Sequence, residues 1–363
     1  MSVMNNTKTF LGLLTGALAV LTAQAQVDLT ITGSTAFRAI TIDRTLSLFD
    51  TSSTNGNLVS SGGGSPNFLT IKGTMSAKVP SLGATPVTCR LSFSGSGSGM
   101  LAVNNLTPVS TLEVVGGTVN KVPDLALSDV FPASSTPPIA DSAFERNVLG
   151  VIPFVFVRNN ALSGIINITR EQAILLFTAS GTVGGFPGMP ATYLGGASAN
   201  PVYLVGRDSG SGTRIAVHKC IGFVSTPTLW ATNGLGVYVQ TYGLSSGSLV
   251  ANNVRAKADA IGYMGLPDFG TITNYATSIS YNGYAYSEPT VANGAYAIWS
   301  YEHIVNRAGG LSNNQKAVRD ALINAITDPT YQSTPIYTNS FVRLNQMNVE
   351  RGADGGPITS TIF

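Results

Sequence analysis

The sequence predicts an α/β protein. Apolar, β-branched segments alternate with helical patterns along most of the chain. Four loops rich in glycine, serine or aspartate each directly follow a predicted strand. Such alternation favours largely parallel sheets, which bind ligands beyond the carboxyl ends of their strands. The chain has 363 residues and is long enough for two domains.

The first 25 residues have the pattern of a secretory signal. Lys8 lies in a polar segment, an apolar run extends from Phe10 to Leu21, and Ala23-Gln24-Ala25 fits an A-x-A cleavage site. We expect cleavage after Ala25 and a soluble protein that is periplasmic or secreted. No later segment has the roughly 20 unbroken apolar residues of a spanning helix.

Composition excludes several classes of function. Charged residues make up 10% of the chain and the formal net charge is +2. A nucleic-acid-binding protein should show a basic patch or stripe, and the sequence has none. Because the net charge is small, the electrostatic field of the whole protein is weak, and a bound anion must be held by local groups.

The cysteines and histidines are too few for a metal site or a catalytic cluster, and we expect neither a metal nor a cofactor. Cys89 and Cys220 could form a disulfide in an exported protein, but free buried thiols are the simpler expectation. His218 and Cys220 are two residues apart on a predicted helix and therefore face different directions. His303 is the second histidine of the chain.

In chain order, the pattern predicts strands and helices that alternate with loops. The predicted strands are Asp28–Thr32, Phe68–Ile71, Val87–Phe93, Asp124–Leu127, Val151–Val157, Pro201–Val205 and a returning strand within Ala258–Gly265. The predicted helices are Ala36–Phe49, Thr169–Phe177 with a capping box of Thr169 and Gln172, Arg214–Ile221 and Ser312–Ile326. Thr51–Ser65 has the composition of a loop, and Gly181–Asn200 that of a Gly/Pro-rich loop or a pair of short strands.

The most informative loop is Arg207-Asp208-Ser209-Gly210-Ser211-Gly212-Thr213, between a predicted strand and a predicted helix. The first N–H groups of a helix lack internal partners and carry the positive end of the helix dipole. Together with the fixed charge of Arg207, this arrangement predicts an anion-binding site.

Taken in order, the four loops resemble those of the periplasmic phosphate-binding proteins of ABC transporters, which are type 2 periplasmic binding proteins. Arg207–Thr213 matches their Arg-x-x-Gly-Ser-Gly-Thr loop without departure. The segments that resemble the other loops and flanking elements of that family are Gly33-Ser34-Thr35-Ala36-Phe37, Ser94-Gly95-Ser96-Gly97-Ser98-Gly99, Leu127-Ser128-Asp129, Asn167–Gln172 and Ala260–Tyr263.

The resemblance implies a two-domain Venus-flytrap fold with an anion bound in the cleft. Domain I would comprise residues 26–150 and 270–363, and domain II residues 151–269. Hinges are expected near Ala140–Pro153 and Pro267–Ile272. The protein would be a monomer that captures inorganic phosphate by hinge closure and delivers it to a membrane ABC permease, with no enzymatic activity.

The resemblance also assigns the ligand-binding residues. From domain I, Thr35, Ala36 and Ser96 would donate from hydroxyl or backbone N–H groups, and Asp129 would accept a hydrogen bond from the ligand. From domain II, Arg207 would make the charged contact, and Ser211, Gly212 and Thr213 would donate from the helix N-terminus.

Asp129 predicts which oxyanion binds. A carboxylate repels an anion unless that anion carries an O–H group, as hydrogen phosphate does and sulfate does not at neutral pH. A site built around such a donor rejects the analogue that lacks it by ~10⁴–10⁵-fold. The sequence therefore predicts phosphate over sulfate.

Several alternatives stay open at the level of sequence. Arg38 and Arg214 could face solvent, or could enter the cleft and favour another oxyanion or a phosphorylated small molecule. Ser94 or Ser98 could replace Ser96 as the donor of the second loop. A secreted phosphatase-like or adhesion protein could also use this fold.

Overall fold

The computed structural model describes residues 26–50, 57–62, 66–178, 189–197 and 199–361. The predicted signal segment, most of the predicted loop at Thr51–Ser65 and much of that at Gly181–Asn200 lie outside the described residues. Among the described residues, no helix is long and apolar enough to cross a membrane.

The described strands are numbered in chain order. They are β1 (Val27–Gly33), β2 (Leu58–Ser60), β3 (Phe68–Gly73), β4 (Val87–Ser92), β5 (Val109–Leu112), β6 (Thr118–Lys121), β7 (Leu125–Ser128), β8 (Phe144–Asn159), β9 (Asn167–Ile168), β10 (Met189–Pro190), β11 (Pro201–Val205), β12 (Leu229–Thr232), β13 (Tyr238–Thr241), β14 (Ala260–Gly265), β15 (Ala276–Tyr281), β16 (Trp299–Arg307), β17 (Val349–Glu350) and β18 (Thr359–Ser360).

The described α-helices are numbered in the same way. They are α1 (Arg38–Leu48), α2 (Ser96–Asn105), α3 (Arg170–Thr178), α4 (Gly212–Ile221), α5 (Gly247–Ala256), α6 (Leu266–Gly270), α7 (Glu288–Ala292), α8 (Asn313–Thr327) and α9 (Pro335–Thr338). Two predicted helix starts are confirmed in detail. Gln172 N donates to Thr169 Oγ1 (3.2 Å) while Thr169 N donates to Gln172 Oε1 (2.9 Å), and Ser312 forms a capping box with Gln315.

One large sheet runs through the protein in the order β10-β11-β14-β8-β16-β7-β1-β4-β3-β2, and β15 and β9 branch from β8. β1 is parallel to β4 and β7, and β11 is parallel to β14. The contacts of β8 with β14, β15 and β16 are antiparallel. The expectation of largely parallel sheets is therefore wrong, because β8 and β16 insert antiparallel strands between two parallel groups.

Strand β8 divides the sheet into two lobes. Its first part, Phe144–Pro153, pairs with β16, and its second part, Phe154–Asn159, pairs with β14 and β15. We call the strands β1, β4, β7 and β16 with their helices lobe I, and β11, β14 and β15 with theirs lobe II. All residues of β8 from Leu149 to Val157 are buried, so the strand passes through the core of both lobes.

The boundary between the lobes lies close to the proposed domain limit at residue 150, but differs at the other crossing. β15 pairs with Phe156–Asn159 of β8 and therefore lies with lobe II, beyond the limit proposed at residue 269. The chain returns to lobe I between Tyr281 and Trp299, downstream of the predicted hinge at Pro267–Ile272. The domain boundaries stay a proposal, with residues 270–281 transferred to the second domain.

Both cysteines are free. Burial raises the pKa of the Cys220 thiol, and Cys89 is fully buried in the sheet. The expectation of two free thiols is therefore confirmed, and that of burial holds fully for Cys89, because Cys220 is only half-buried.

Candidate functional site

The four predicted loops meet between the two lobes. β7, β1 and β4 are neighbours, and the first three loops leave from their carboxyl ends. The fourth loop follows β11 in lobe II and reaches across to the second loop, where Gly97 N donates to the carbonyl oxygen of Gly210 (3.1 Å). The structure thus brings together the loops that the sequence predicts to form one site.

Helix α4 begins in the fourth loop as predicted. Ser211 is the N-cap, and its side chain accepts a hydrogen bond from the backbone N–H of Arg214 (3.4 Å). His218 and Lys219 lie in the last turn, where a cation would complement the negative end of the helix dipole. The N-terminus of α4, with Gly212 and Thr213, points at lobe I.

Asp129 lies opposite this N-terminus and is 2% exposed. Its carboxylate accepts a hydrogen bond from Ser96 Oγ and one from Thr213 Oγ1 (3.5 Å), and its own N–H donates to Ser96 Oγ (3.3 Å). An added Cβ on Gly212 would overlap Asp129 Oδ1 and lie 2.6 Å from Ser96 Oγ. Ser96, Asp129, Gly212 and Thr213 are therefore in direct contact across the two lobes.

Burial dominates the electrostatics of Asp129. Desolvation raises the pKa of its carboxyl to about 6, against the opposing effects of the Ser96 hydrogen bond and the charge of Arg207. The positive charge of Arg207 thus favours the ionised form of the Asp129 carboxyl, although burial outweighs it.

Arg207 is 2% exposed and fixed by backbone groups of lobe II. Its Nε donates to the carbonyl of Leu244 (3.0 Å) and its Nη2 to that of Ser245 (3.0 Å), while its backbone N–H donates to Tyr263 Oη (3.2 Å). These contacts orient the guanidinium without neutralising its charge. Asp268 supplies an acid nearby, and Arg207 and Arg38 oppose the rise that burial causes in the pKa of Asp268.

Arg214 and Arg38, which could face either solvent or the cleft according to the sequence, have different surroundings. Arg214 Nη1 donates to the backbone carbonyls of Arg207 (3.2 Å) and Tyr242 (3.1 Å). These hydrogen bonds stabilise the conformation of the fourth loop. Arg38 is half-buried at the start of α1 and donates to Asn67 Oδ1. Burial lowers the pKa of Arg38, with Asp268 and Arg207 as the neighbouring charges.

Thr35 and Ala36 lie in the turn between β1 and α1. Among the described residues, their backbone N–H groups have no hydrogen-bond partner. Ala36 Cβ lies 3.9 Å from the position of an added Cβ on Gly265, at the end of β14 in lobe II. The first loop therefore also faces the opposite lobe.

A buried acid beneath this turn was missed by the sequence analysis. Glu302 on β16 is fully buried, and its Oε2 accepts a hydrogen bond from Ser34 Oγ (3.4 Å), which in turn accepts one from Phe37 N (3.2 Å). Desolvation raises the pKa of Glu302 well above its ordinary value, and the charge of Asp129 adds to the effect. The sequence does carry a signal for this residue, because an acid within an apolar run is unusual in a chain with so few charges.

The three serines of the second loop differ in their hydrogen-bond partners. Ser96 contacts Asp129, Ser94 Oγ lies 3.1 Å from Thr32 Oγ1, and Ser98 N donates to the Gly210 carbonyl (3.4 Å). Only the first of these three arrangements includes the buried carboxylate. The geometry therefore favours Ser96 as the predicted donor.

Comparisons with known proteins place the fold. No protein-family model matches the chain, and a search of curated proteins finds no match. Among solved structures, the chain is similar to a substrate-binding protein assigned to phosphate ABC transport from Clostridium perfringens, with phosphate bound (15% identity, 87% of this chain, 99% of that chain, TM-score 0.56). It is also similar to an ABC-type phosphate transport receptor from Vibrio cholerae (15% identity, 87% and 99%, TM-score 0.54).

These similarities define the class of fold. The chain is a mixed α/β protein with the two-lobed, periplasmic-binding-protein fold. The two phosphate-transport proteins named above share this fold, and the resemblance of the four loops predicts it.

Proposed function

We propose that this chain is an exported solute-binding protein that captures inorganic phosphate between its lobes for delivery to an ABC-type permease. The observation that carries the proposal is the buried carboxylate of Asp129 at the N-terminus of α4, surrounded by hydroxyl groups and near Arg207. The ligand-binding residues would be Thr35, Ala36, Ser96, Asp129, Arg207, Ser211, Gly212 and Thr213.

The chemistry of these groups favours a protonated oxyanion. Arg207 and the N-terminus of α4 provide positive charge, and a guanidinium suits a tetrahedral oxyanion. Asp129 provides a buried acceptor that only an anion with an O–H group can satisfy. Hydrogen phosphate meets both requirements, and sulfate meets only the first.

Entry of the anion requires the lobes to separate. Gly212 and Asp129 are in direct contact, so a phosphate ion fits between them only when α4 lies further from lobe I. The crossing of the chain along β8 allows such a motion, and bound phosphate would then bridge the lobes and favour their closure. We therefore propose capture by hinge closure in an exported monomer without catalytic activity.

Titration calorimetry of the mature protein with phosphate and with sulfate at neutral pH tests this proposal. We expect phosphate binding and sulfate affinity lower by ~10⁴–10⁵-fold. Asp129→Asn should weaken phosphate binding and reduce this selectivity, while Asp141→Asn, at an exposed acid of lobe I, should change neither. Comparable affinities of the wild-type protein for the two anions would refute the role of Asp129.

Arg38 favours one alternative ligand, a phosphorylated small molecule. Its half-buried guanidinium interacts electrostatically with both Asp268 and Arg207. A second anionic group of a ligand bound near Arg207 could therefore also interact with Arg38. Competition of phosphate monoesters with phosphate in the same titration separates the two ligands. Incubation with p-nitrophenyl phosphate tests the alternative that the protein is a phosphatase, and we expect no hydrolysis.

A further inference from the structure

The last residues of the chain form a strap that crosses from one lobe to the other. We define the strap as residues Val349–Ser360, which begin with β17 and end with β18. Its ends are paired to each other, and it is anchored at Asn348, whose N–H donates to the Ala292 carbonyl (2.8 Å). The residues between the two strands contact both lobes.

Arg351 joins the lobes where the chain crosses between them. Its guanidinium is buried, and Nη1 donates to the Trp299 carbonyl (3.0 Å) and to Cys220 Sγ (3.2 Å). Its Cζ lies 3.8 Å above the centre of the Trp299 ring. Trp299 pairs with Pro153 of β8, and Cys220 belongs to α4, so one side chain contacts the crossing point and a helix of lobe II.

Asp354 attaches the strap to the turn that holds Asp129. Its buried carboxylate accepts hydrogen bonds from Phe131 N (2.8 Å) and Ser300 Oγ (2.5 Å). Phe131 follows Asp129 by two residues. The charge of Asp354 also contributes to the raised pKa of Asp129. The position of Asp129 therefore depends on a residue that does not itself belong to the predicted site.

Gly355 attaches the strap to the other side of the site. Its φ is +65°, a conformation that favours glycine, and an added Cβ would overlap the carbonyl oxygen of Lys219 and lie 2.9 Å from Cys220 N. Lys219 and Cys220 belong to the last turn of α4, whose first turn carries Gly212 and Thr213. Adjacent strap residues thus hold the Asp129 turn and α4 in one arrangement.

We propose that this strap sets the affinity of the site by holding α4 against lobe I, with Arg351, Asp354 and Gly355 as positioning residues. The inference rests on the proposed function, because it concerns the anion held between the same two lobes. Because Gly212 contacts Asp129 in this arrangement and leaves no room for the anion, a strap that stabilises it lowers the fraction of molecules able to take up the ligand, and the apparent affinity follows that fraction.

Gly355→Ala tests the strap without changing a charge or a predicted ligand-binding residue. The added methyl group must displace the strap from α4. Gly352→Ala is the matched control in the same strap, because an added Cβ there meets nothing within 4 Å. We expect Gly355→Ala to strengthen phosphate binding by roughly tenfold, the effect of a tenfold larger population of molecules with separated lobes, and Gly352→Ala to leave it unchanged.

Small-angle scattering of the ligand-free variants supplies a readout that a local packing defect would not move. We expect a larger radius of gyration for Gly355→Ala than for Gly352→Ala, and a smaller difference when phosphate is saturating. Asp354→Asn, which weakens the contacts of the strap with Phe131 and Ser300, is a second variant with the same expected increase in the radius of gyration, should Gly355→Ala fail to fold. Equal affinity and equal radius of gyration in the variants and the wild type would overturn the proposal.

The two proposals fail in distinguishable ways. If the wild-type protein binds no phosphate, the proposed function fails, and the ligand-free scattering of the two glycine variants still decides whether the strap holds the lobes together. If phosphate binds equally to wild type, Gly355→Ala and Asp354→Asn, the strap has no such role and the proposed function stands.

Discussion

Asp129 and Gly212 are in contact across the two lobes, and the carboxylate of the first occupies the space that a side chain on the second would need. The carboxylate therefore lies at the N-terminus of α4, where the helix dipole favours negative charge. In this closed arrangement, the protein's own acid and a bound oxyanion would compete for the same donors. Affinity should consequently depend on how easily α4 and Asp129 separate.

The Gly212→Ala substitution tests this contact directly. The methyl group would overlap Asp129 Oδ1, so we expect closure of the lobes to become unfavourable by about 1–3 kcal/mol, as for other overpacked sites. Because the methyl group also projects into the space between α4 and Asp129 that the anion would occupy, phosphate affinity measured by calorimetry should fall. Gly234→Ala, where an added Cβ meets nothing within 4 Å, is the control, and equal affinities of the two variants would contradict the prediction.

Arg207 should contribute a large part of the binding free energy. We expect Arg207→Ala to weaken phosphate binding by about 2–5 kcal/mol, the usual cost of truncating one side of a buried charged contact. Arg255→Ala, at an exposed position of α5, should have no effect. A loss below a few-fold in Arg207→Ala would place this guanidinium outside the site.

The raised pKa of Asp129 predicts a pH dependence of stability. Folding raises this pKa from 3.8 to about 6, so the folded protein holds the proton more tightly than the unfolded chain. The resulting contribution is fully present below pH 4 and is lost as pH rises to about 6, with a size of about 3 kcal/mol.

Denaturant unfolding of wild type and Asp129→Asn between pH 4 and pH 7, without phosphate, measures this contribution. Asp124 has a raised pKa of about 6 as well, so the informative quantity is the difference between the two proteins. We expect the free energy of unfolding of Asp129→Asn to depend less on pH. Parallel curves would show that Asp129 titrates normally.

Glu302 should tolerate an amide better than a truncation. Because burial raises its pKa, its carboxyl favours the neutral form, which glutamine reproduces in size and hydrogen bonding. Glu302→Gln should stay within about 1.5 kcal/mol of wild type at neutral pH, and Glu302→Ala should lose more. The facing titratable groups are Asp129 and Tyr337.

The same substitution has a second consequence for the pH dependence of stability. A carboxyl with a raised pKa in the folded state loses its stabilising contribution as pH rises from its ordinary pKa through the raised one. Wild type should therefore lose stability more steeply than Glu302→Gln as pH rises above the ordinary pKa of glutamate. Equal pH dependence of the two proteins would indicate that the pKa of Glu302 is not raised in the folded state.

The elements around the site could be predicted because their signals are local. The loop at Arg207–Thr213 follows a continuous apolar strand and starts a helix, and the structure shows both. Thr169 and Gln172 form the expected capping box for the same reason. Their patterns depend only on residues a few positions apart.

The central strand β16 was missed because tertiary contacts determine it. It carries Ser300, Glu302 and His303, which are polar yet buried, and therefore lacks the apolar signature of a core strand. Its partners β7 and β8 lie far away in the chain. The role of the C-terminal strap was equally invisible, since Asp354 acquires its partners only when residues more than 50 positions apart meet.

The shared strand β8 also limits how this protein can be divided into fragments that fold independently. Its 16 residues provide hydrogen-bond partners to β16 on one side of the crossing and to β14 and β15 on the other. A fragment that ends before Phe144 would lack β16 and leave β7 unpaired on that side, and one that begins after Asn159 would leave β14, β15 and β16 each without β8, the strand with which they pair. Neither lobe is therefore a self-sufficient folding unit, and a chain cut at this strand should be recovered only by combining its pieces.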